Sequence, residues 1–188
     1  MKKSSLTARE GGPTFSLRNR LTRALWRVVW GTLGQWTPIP FFRWRRWLLV
    51  LFGADIHKSA RIYPGVQIWL PSNLIMHEHA CMGPGVVCYS MNKIIFERYS
   101  LVSQRAHLCC GSHDIDSPEF DLFALPIVLR NNSWVAAEAF VGPGVTVGEG
   151  AVLGARACAF RDLKDWTVYA GCPARALRER KNDARGNS

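Results

Sequence analysis

Residues 127–154 read IVLRNNSWVAAEAFVGPGVTVGEGAVLG, and the spacing of aliphatic residues in this stretch decides the fold. These residues recur every six positions: Leu129, Val135, Val141, Val147 and Leu153. Two positions before each stand mostly small residues: Ile127, Ser133, Ala139, Val145 and Ala151. An α-helix repeats about every 3.6 residues and a strand about every two, so neither explains a period of six. Such a repeat is typical of a solenoid, in which very short strands and tight turns bury their aliphatic side chains by stacking coil upon coil.

The six-residue step also occurs upstream, where two-residue slips separate its runs. The earlier runs are Ile56, Ile62 and Ile68; Met76, Met82 and Cys88; and Phe96, Val102 and Leu108. The step stops after Leu108 and resumes at Ile127. We therefore predict a solenoid over residues 55–170, with a loop extruded from it at residues 109–126. Loops that interrupt a solenoid commonly carry its function.

A basic, Trp-rich leader over residues 15–54 is predicted to precede the solenoid. The net charge is +10, and ten of the 24 Lys and Arg residues and five of the eight Trp lie within residues 1–52, where Glu10 is the only acidic residue. Apolar residues at helical spacing predict an amphipathic helix that begins at Ser16 and ends near Gly31–Gly34, and a second helix over Phe42–Phe52. Residues 1–14 are polar and are predicted to form a flexible tail.

Two interpretations of the leader remain open at this point. Its Trp residues can cover the open first coil, because the ends of solenoids need covers. Arg-rich amphipathic helices with Trp also bind anionic membrane surfaces. We favour the covering role, with peripheral membrane contact in addition. Nucleic-acid binding would fit the charge, but no recognition motif accompanies it, so no nucleic-acid partner is expected.

The cysteine pattern argues against a metal or redox site. None of the six Cys residues forms a C-x-x-C pair, the spacing typical of zinc and disulfide-exchange motifs. The segment Met1–Pro13 is polar and lacks the apolar core of a secretion signal. We expect reduced thiols, no metal cofactor and a cytoplasmic location, with contact at the inner face of the membrane under the second interpretation of the leader.

Three further segments carry a resemblance to a known family. They are Gly111-Ser112-His113-Asp114, the stretch Ala137–Val145, and Tyr169-Ala170-Gly171-Cys172-Pro173-Ala174-Arg175. With the hexads, they resemble the hexapeptide-repeat acyltransferases, most of all the branch for colanic acid and other exopolysaccharides. The resemblance implies a mainly β fold, a left-handed parallel β-helix, assembled as a homotrimer with active sites between subunits. At the C-terminus, residues 171–188 are expected to form a short helix over Pro173–Lys181 and a tail.

The resemblance also implies the chemistry: an O-acetyltransferase that moves acetyl from acetyl-CoA to a hydroxyl of a saccharide. A general base is needed, and imidazole suits the task because its ordinary pKa is about 6.5. In the resembling enzymes a His in the extruded loop is that base, so we expect this role for His113, with direct transfer. Asp114 could orient the ring or bind the acceptor, and a backbone carbonyl could orient the ring equally well. The alternative to a catalytic role is a structural one, in which Ser-His-Asp only forms a turn.

The resemblance assigns the binding residues as well. Trp134 would flank the pantetheine arm of the donor, and the backbone of Ala137, Gly142 and Ala155 would line the donor groove. Arg161, Arg175 and Arg178 would lie near the CoA phosphates, unless the last two are only solvated charges on the C-terminal helix. Tyr89 and Asn92 would bind the saccharide acceptor, although Asn92 is equally plausible as a turn residue.

Two other functions fit the same coil. One is a non-catalytic trimeric scaffold for glycan-synthesis machinery. The other is a metalloenzyme similar to the γ-carbonic anhydrases, which bind zinc through His. Those enzymes carry a His-x4-His pair, and no two His residues of this chain are five apart.

Overall fold

The fold is a parallel β-solenoid, in which three β-sheets wind around one core. The structure, a computed structural model, describes residues 15–181. The predicted flexible tail at 1–14 and residues 182–188 of the predicted C-terminal segment lie outside the described residues.

The strands are short, most of them two or three residues long. In chain order they are β1 (Asp55–Ile56), β2 (Arg61–Ile62), β3 (Gln67–Ile68), β4 (Leu74–Met76), β5 (Cys81–Met82), β6 (Val87–Tyr89), β7 (Ile94–Phe96), β8 (Leu101–Val102), β9 (His107–Cys109), β10 (Gly111–His113), β11 (Leu122–Ala124), β12 (Ile127–Leu129), β13 (Trp134–Val135), β14 (Phe140–Val141), β15 (Thr146–Val147), β16 (Val152–Leu153), β17 (Cys158–Ala159), β18 (Thr167–Ala170) and β19 (Arg175–Glu179). Face A has the order β1-β4-β7-β12-β15, face B the order β2-β5-β8-β13-β16-β18-β19, and face C the order β3-β6-β9-β14-β17. Within the described residues, the pairs are parallel except β18–β19 and the separate pair β10–β11.

The core confirms the six-residue period. Its five defining aliphatic residues are fully buried: Leu129, Val135, Val141, Val147 and Leu153. Each coil binds the next through backbone hydrogen bonds; the amide N–H of Arg61, for example, donates to the carbonyl of Ala80 over 2.9 Å. Each face of a coil thus places two side chains in the interior, a large aliphatic one and the residue two positions before it, and the coils hold one another in place.

One corner of the solenoid receives the insertions. Ile56 pairs with Met76, whereas Leu129 pairs with Val147, so the first coil is longer than the later one. The extra length of the first coil lies where face C leads into face A, and it forms a 3-10 turn at Pro71–Asn73. The extruded loop leaves from this same corner, between β9 and β12. We call it the C–A corner, and the corner between faces B and C the B–C corner.

The leader covers the first coil. Helix α1 (Leu17–Val29) continues as a π-helical turn over Trp30–Gly34, and α2 (Phe42–Leu51) follows. Trp26 and Trp30 stack at 4.9 Å, are buried, and donate their indole N–H groups to the carbonyls of Ile68 and Val66 over 2.7 and 2.8 Å. No helix among residues 15–181 is long and apolar enough to cross a bilayer.

The prediction of a short C-terminal helix is wrong. The segment forms strand β19, which runs antiparallel to β18 along the free edge of face B. Its sequence, Arg-Ala-Leu-Arg-Glu, favours a helix by local propensity alone. The unpaired backbone groups of β18 offer it hydrogen bonds instead, and this tertiary pairing outweighs the local preference.

Candidate active site

The extruded loop is an antiparallel ribbon built from β10 and β11. His113 pairs with Leu122 in this ribbon, and the amide N–H of Asp114 donates to the carbonyl of Asp121 over 2.8 Å. At its base, the side-chain amide of Asn92 donates to the carbonyl of Ala124 over 2.8 Å. The ribbon is thus fixed to the coil at the C–A corner and holds His113 outside it.

The ring of His113 is held in one orientation. It stacks on the ring of Phe120 at 4.5 Å with an interplanar angle of 11°. Its Nδ1 lies 2.8 Å from the carbonyl oxygen of Phe120. A carbonyl only accepts hydrogen bonds, so Nδ1 carries the proton in this bond, and the lone pair of the neutral ring is on Nε2. The ring is therefore prepared to take a proton at Nε2.

Asp114 does not orient this ring. Its Oδ1 accepts a hydrogen bond from the amide N–H of Asp116 over 3.0 Å, within the turn of the ribbon. Of the two ways to orient His113 that the sequence leaves open, the structure shows the backbone carbonyl. Asp114 itself is exposed at the ribbon surface.

Tyr89 lies beside the start of the ribbon. A Cβ on Gly111 would point toward the sulfur of Met91 and would lie 3.3 Å from the Tyr89 ring. Side chains two residues apart on a strand leave the same face. The side chain of His113 therefore leaves the ribbon on the same face as Gly111, which is the face toward Tyr89.

A groove of about 520 Å³ extends from Tyr89 between α1 and face C. The ring of Trp69 meets that of Tyr89 edge to face at 5.8 Å, and the guanidinium of Arg23 lies 4.2 Å from the centre of the Trp69 ring. Arg27 and Gln67 also line the groove. Aromatic faces with flanking donors are suited to bind a sugar ring and its hydroxyl groups.

The predicted acceptor residues differ in their surroundings. Tyr89 lines the groove, whereas the Asn92 side chain binds backbone at both ends: it donates to the carbonyl of Ala124 and accepts from the N–H of Lys93 over 2.7 Å.

Sequence reasoning missed Trp69 and Arg23. Trp69 and Tyr89 stand at equivalent positions of successive early coils, and this equivalence is the signal that could have found Trp69. Nothing in the sequence connects Arg23 with them.

Three predicted donor residues gather at the B–C corner. Trp134 is 41% exposed on face B and donates its indole N–H to the hydroxyl of Ser103 over 2.9 Å. Ala137 and Ala155 occupy the corner in successive coils, where the N–H of Arg156 donates to the carbonyl of Ala137 over 2.9 Å. Among the described residues, the N–H of Ala137 itself has no hydrogen-bond partner. A groove along this corner would be lined by small residues and flanked by an indole.

The remaining predicted donor residues are divided between this corner and the C–A corner. Strand β19 begins next to it, because the N–H of Ala174 donates to the carbonyl of Cys158 on face C over 2.8 Å. Arg175 is therefore close to the corner, and Arg178 lies opposite Val168, further along the edge of face B. Gly142 and Arg161 follow β14 and β17, at the far side of face C.

One chain does not bring His113 and the B–C corner together. Face C separates them, and about five residues of extended chain span that face, or roughly 16 Å. A site that contains His113, Trp134 and Ala137 at close range therefore needs a second subunit.

Among residues 15–181, no group of three or more His, Cys, Asp or Glu side chains is arranged to hold a metal ion.

Comparisons with known proteins agree with the fold. No protein-family model matches the chain. The sequence is 41% identical over 162 residues to WcaF of Escherichia coli K12, named as a colanic acid biosynthesis acetyltransferase, and the match covers 86% of this chain and 89% of the relative.

Solved structures share the fold at lower identity. A hexapeptide-repeat acetyltransferase of Vibrio cholerae, in complex with acetyl coenzyme A, superposes with a TM-score of 0.78 at 21% identity. The superposition covers 97% of this chain and 100% of the other. A galactoside acetyltransferase in complex with coenzyme A has a TM-score of 0.72 at 19% identity, over 92% of this chain and 87% of its own.

The β-helical coil, together with the identity to the Escherichia coli relative, places the chain in the class of hexapeptide-repeat acetyltransferases. Within that class, the chain belongs to the family of colanic acid biosynthesis acetyltransferases, since identity to a member is high over most of both chains. The family predicted from the sequence is thereby confirmed, and the protein is an acyltransferase.

Proposed function

We propose that this protein transfers the acetyl group of acetyl-CoA directly to a hydroxyl group of a saccharide in exopolysaccharide biosynthesis, with His113 as general base. The observation that carries the proposal is the bond from Nδ1 of His113 to the carbonyl of Phe120. It leaves Nε2 free to accept a proton, which is what an attacking hydroxyl must lose. The names of the relatives, acetyltransferases of colanic acid and galactosides, support the choice of acceptor class.

The proposed reaction has one displacement. The hydroxyl oxygen attacks the carbonyl carbon of the thioester while its proton passes to Nε2 of His113. The C–S bond then breaks, and the same proton passes from the imidazolium to the departing CoA thiolate. The unpaired N–H of Ala137 is suited to stabilise the negative charge on the thioester oxygen. No acyl-enzyme forms, so the chemistry needs no nucleophile from the protein.

The two substrates would enter from different sides of this site. The saccharide would lie in the groove along Tyr89 and Trp69, which ends beside the ribbon. Acetyl-CoA would lie along the B–C corner of a neighbouring subunit, with its pantetheine arm against Trp134 and Ala155. Its phosphates would reach Arg175 and Arg178 of that subunit, whose guanidinium groups suit phosphate oxygens. Arg161 lies across face C from this groove, so it would reach the phosphates only from the subunit that supplies His113. This arrangement requires the homotrimer that the family resemblance implies.

The test is His113→Ala, assayed by thiol release from acetyl-CoA with a panel of saccharide acceptors. We expect turnover to fall by about 100-fold or more, because general-base catalysis contributes about that much. His77→Ala removes an exposed imidazole elsewhere on the coil and should keep full turnover. A folded His113→Ala protein with near-full turnover would contradict the base assignment. Absence of thiol release from the unmodified protein with every saccharide would contradict the function itself.

A further inference from the structure

Helix α1 has an apolar face that the solenoid does not use. Trp26 and Trp30 lie on one side of the helix and pack on face C. About 100° of rotation per residue places a second set on the opposite side. These four residues are 58 to 68% exposed: Leu17, Leu21, Leu25 and Val28. The helix therefore has two apolar faces, and only one of them is covered by the protein.

Arginines border the exposed face. By the same rotation, Arg18 lies at one margin of the apolar arc, and Arg20 and Arg27 lie at the other. An apolar arc between two rows of long cationic side chains is the arrangement of helices that lie in the interface of a lipid bilayer. The arginine stems can extend toward the headgroups while the leucines enter the acyl region.

Helix α2 extends this surface. Trp44 and Trp47 stack at 5.2 Å and are exposed, together with Val50 and Leu51. The indole N–H of Trp44 donates to the carbonyl of Leu33 over 2.7 Å, which joins the outer side of α2 to the end of the first helix. Of the 21 exposed large apolar residues described, 12 lie between residues 17 and 51. We call this region the leader surface.

The charge of the leader surface has one sign. Residues 15–54 contain seven Arg residues and no Asp or Glu. Three of the seven face the coil: Arg23 over Trp69, and Arg45 and Arg46, which donate to the carbonyls of Ile62 and Ile56. The other four are exposed: Arg18, Arg20, Arg27 and Arg43.

We propose that the leader surface binds an anionic phospholipid membrane, with α1 lying in the plane of the interface. Trp side chains favour that depth, and each arginine near an anionic surface adds to the attraction. Pairing of two copies through this surface fits less well, because it would bring two arginine-bordered faces together without a carboxylate on either side. The proposal is independent of the acetyl-transfer chemistry.

Co-sedimentation with vesicles tests the proposal. We expect the full-length protein to bind vesicles that contain about one quarter phosphatidylglycerol, and to bind pure phosphatidylcholine at least about tenfold more weakly. Binding should fall when the salt concentration rises to about 0.5 M, since the Debye length shrinks. Failure to bind the anionic vesicles at low salt would overturn the proposal.

Two variants and a matched control identify the surface. The double variant Leu21→Ser/Leu25→Ser should weaken vesicle binding by about tenfold or more, because it removes two apolar anchors. Arg18→Gln/Arg20→Gln should weaken binding to anionic vesicles by about tenfold and have little effect on binding to neutral ones. Leu177→Ser changes a leucine that is 65% exposed on β19, outside the leader surface, and should leave binding unchanged.

The oligomeric state distinguishes membrane binding from the alternative, in which a second copy of the chain covers the leader surface. Light scattering should give the same mass for the Leu21→Ser/Leu25→Ser protein as for the unmodified one, with unchanged circular dichroism. A lower mass together with unchanged vesicle binding would overturn the proposal and assign the surface to a second copy of the chain. These readouts do not involve acetyl transfer, so their failure is separate from any failure of the proposed enzymatic function.

Discussion

Two buried serines of the core have opposite surroundings. The hydroxyl of Ser90 donates to the carbonyl of Leu70 over 2.9 Å and accepts from the N–H of the same residue over 3.0 Å. The hydroxyl of Ser133 is buried and has no hydrogen-bond partner among the described residues. A buried polar group costs free energy unless it is paired, so the two hydroxyls should affect stability with opposite signs.

We predict that Ser133→Ala raises the free energy of unfolding by about 1 kcal/mol, because it removes an unpaired buried hydroxyl. Ser90→Ala should lower it by about 1–2 kcal/mol, because it leaves the buried N–H of Leu70 without its partner and removes one of the two hydrogen bonds to the Leu70 carbonyl. Urea denaturation followed by circular dichroism measures both values. Equal destabilisation by the two substitutions would contradict the assignment of Ser133 as unpaired.

At the residue scale, the sequence predicts the imidazole of the proposed site but not what orients it. His113 stands out because the six-residue period stops just before it. Phe120, which supplies the carbonyl, is further along the ribbon. A backbone carbonyl is present at every residue, so no side-chain pattern marks the one that is used. Only the folded ribbon brings it to Nδ1.

Among the elements, α2 depends on one buried arginine. Arg45 is fully buried and has no carboxylate beside it among the described residues. Its guanidinium donates to the carbonyls of Ile62, Pro38 and Ile39 over 2.6, 2.8 and 2.6 Å, and to the hydroxyl of Thr37 over 2.8 Å. Burial lowers the pKa of Arg45 from its ordinary value, and the ring of oxygens compensates for the lost hydration. One side chain thereby ties the linker before α2 to the first coil.

Arg45→Ala should lower the free energy of unfolding by about 3–5 kcal/mol, because it breaks a hydrogen-bond network around a buried side chain and leaves the carbonyl of Ile62 without its donor. Arg43→Ala, on the exposed side of the same helix, should change it by less than about 0.5 kcal/mol. Thermal unfolding of both variants checks the difference. Similar melting temperatures for the two would show that Arg45 does not hold α2 on the coil.

The elements differ in how far their sequences reveal them. Both leader helices are predicted because their apolar residues recur at helical spacing, and the coil is predicted because its period is six. Strand β19 has a helix-like sequence, and its structure depends on the neighbouring β18. The β10–β11 ribbon has no period of its own, so its pairing follows from tertiary contacts that sequence spacing does not encode.

The whole molecule divides the proposed site between two corners. His113 leaves the coil at the C–A corner, whereas Trp134, Ala137 and Ala155 lie at the B–C corner. In a ring of three identical subunits, the C–A corner of one subunit can face the B–C corner of the next. Each site would then combine His113 of one subunit with the donor groove of its neighbour.

Mixed trimers test this division. Ala155→Glu should block the donor groove, because a longer, charged side chain would occupy the space of the apolar pantetheine arm, and His113→Ala removes the base. Each variant alone should be inactive, whereas co-expression should restore up to about one quarter of full turnover, since random assembly pairs intact corners at that frequency. Co-expression of His113→Ala with the double variant His113→Ala/Ala155→Glu is the control and should stay inactive. No restoration in the first mixture would contradict a shared site.

Strand β19, which runs antiparallel to β18 at the end of face B, also has a consequence for solubility. An uncovered parallel strand would offer its backbone to another molecule and allow end-to-end growth into fibres. Strand β19 occupies that position, and all five of its residues are exposed, with Arg175, Arg178 and Glu179 among them. Charged side chains along an outermost strand discourage further pairing. The protein can therefore use an architecture that extends by simple repetition and still remain a particle of fixed length.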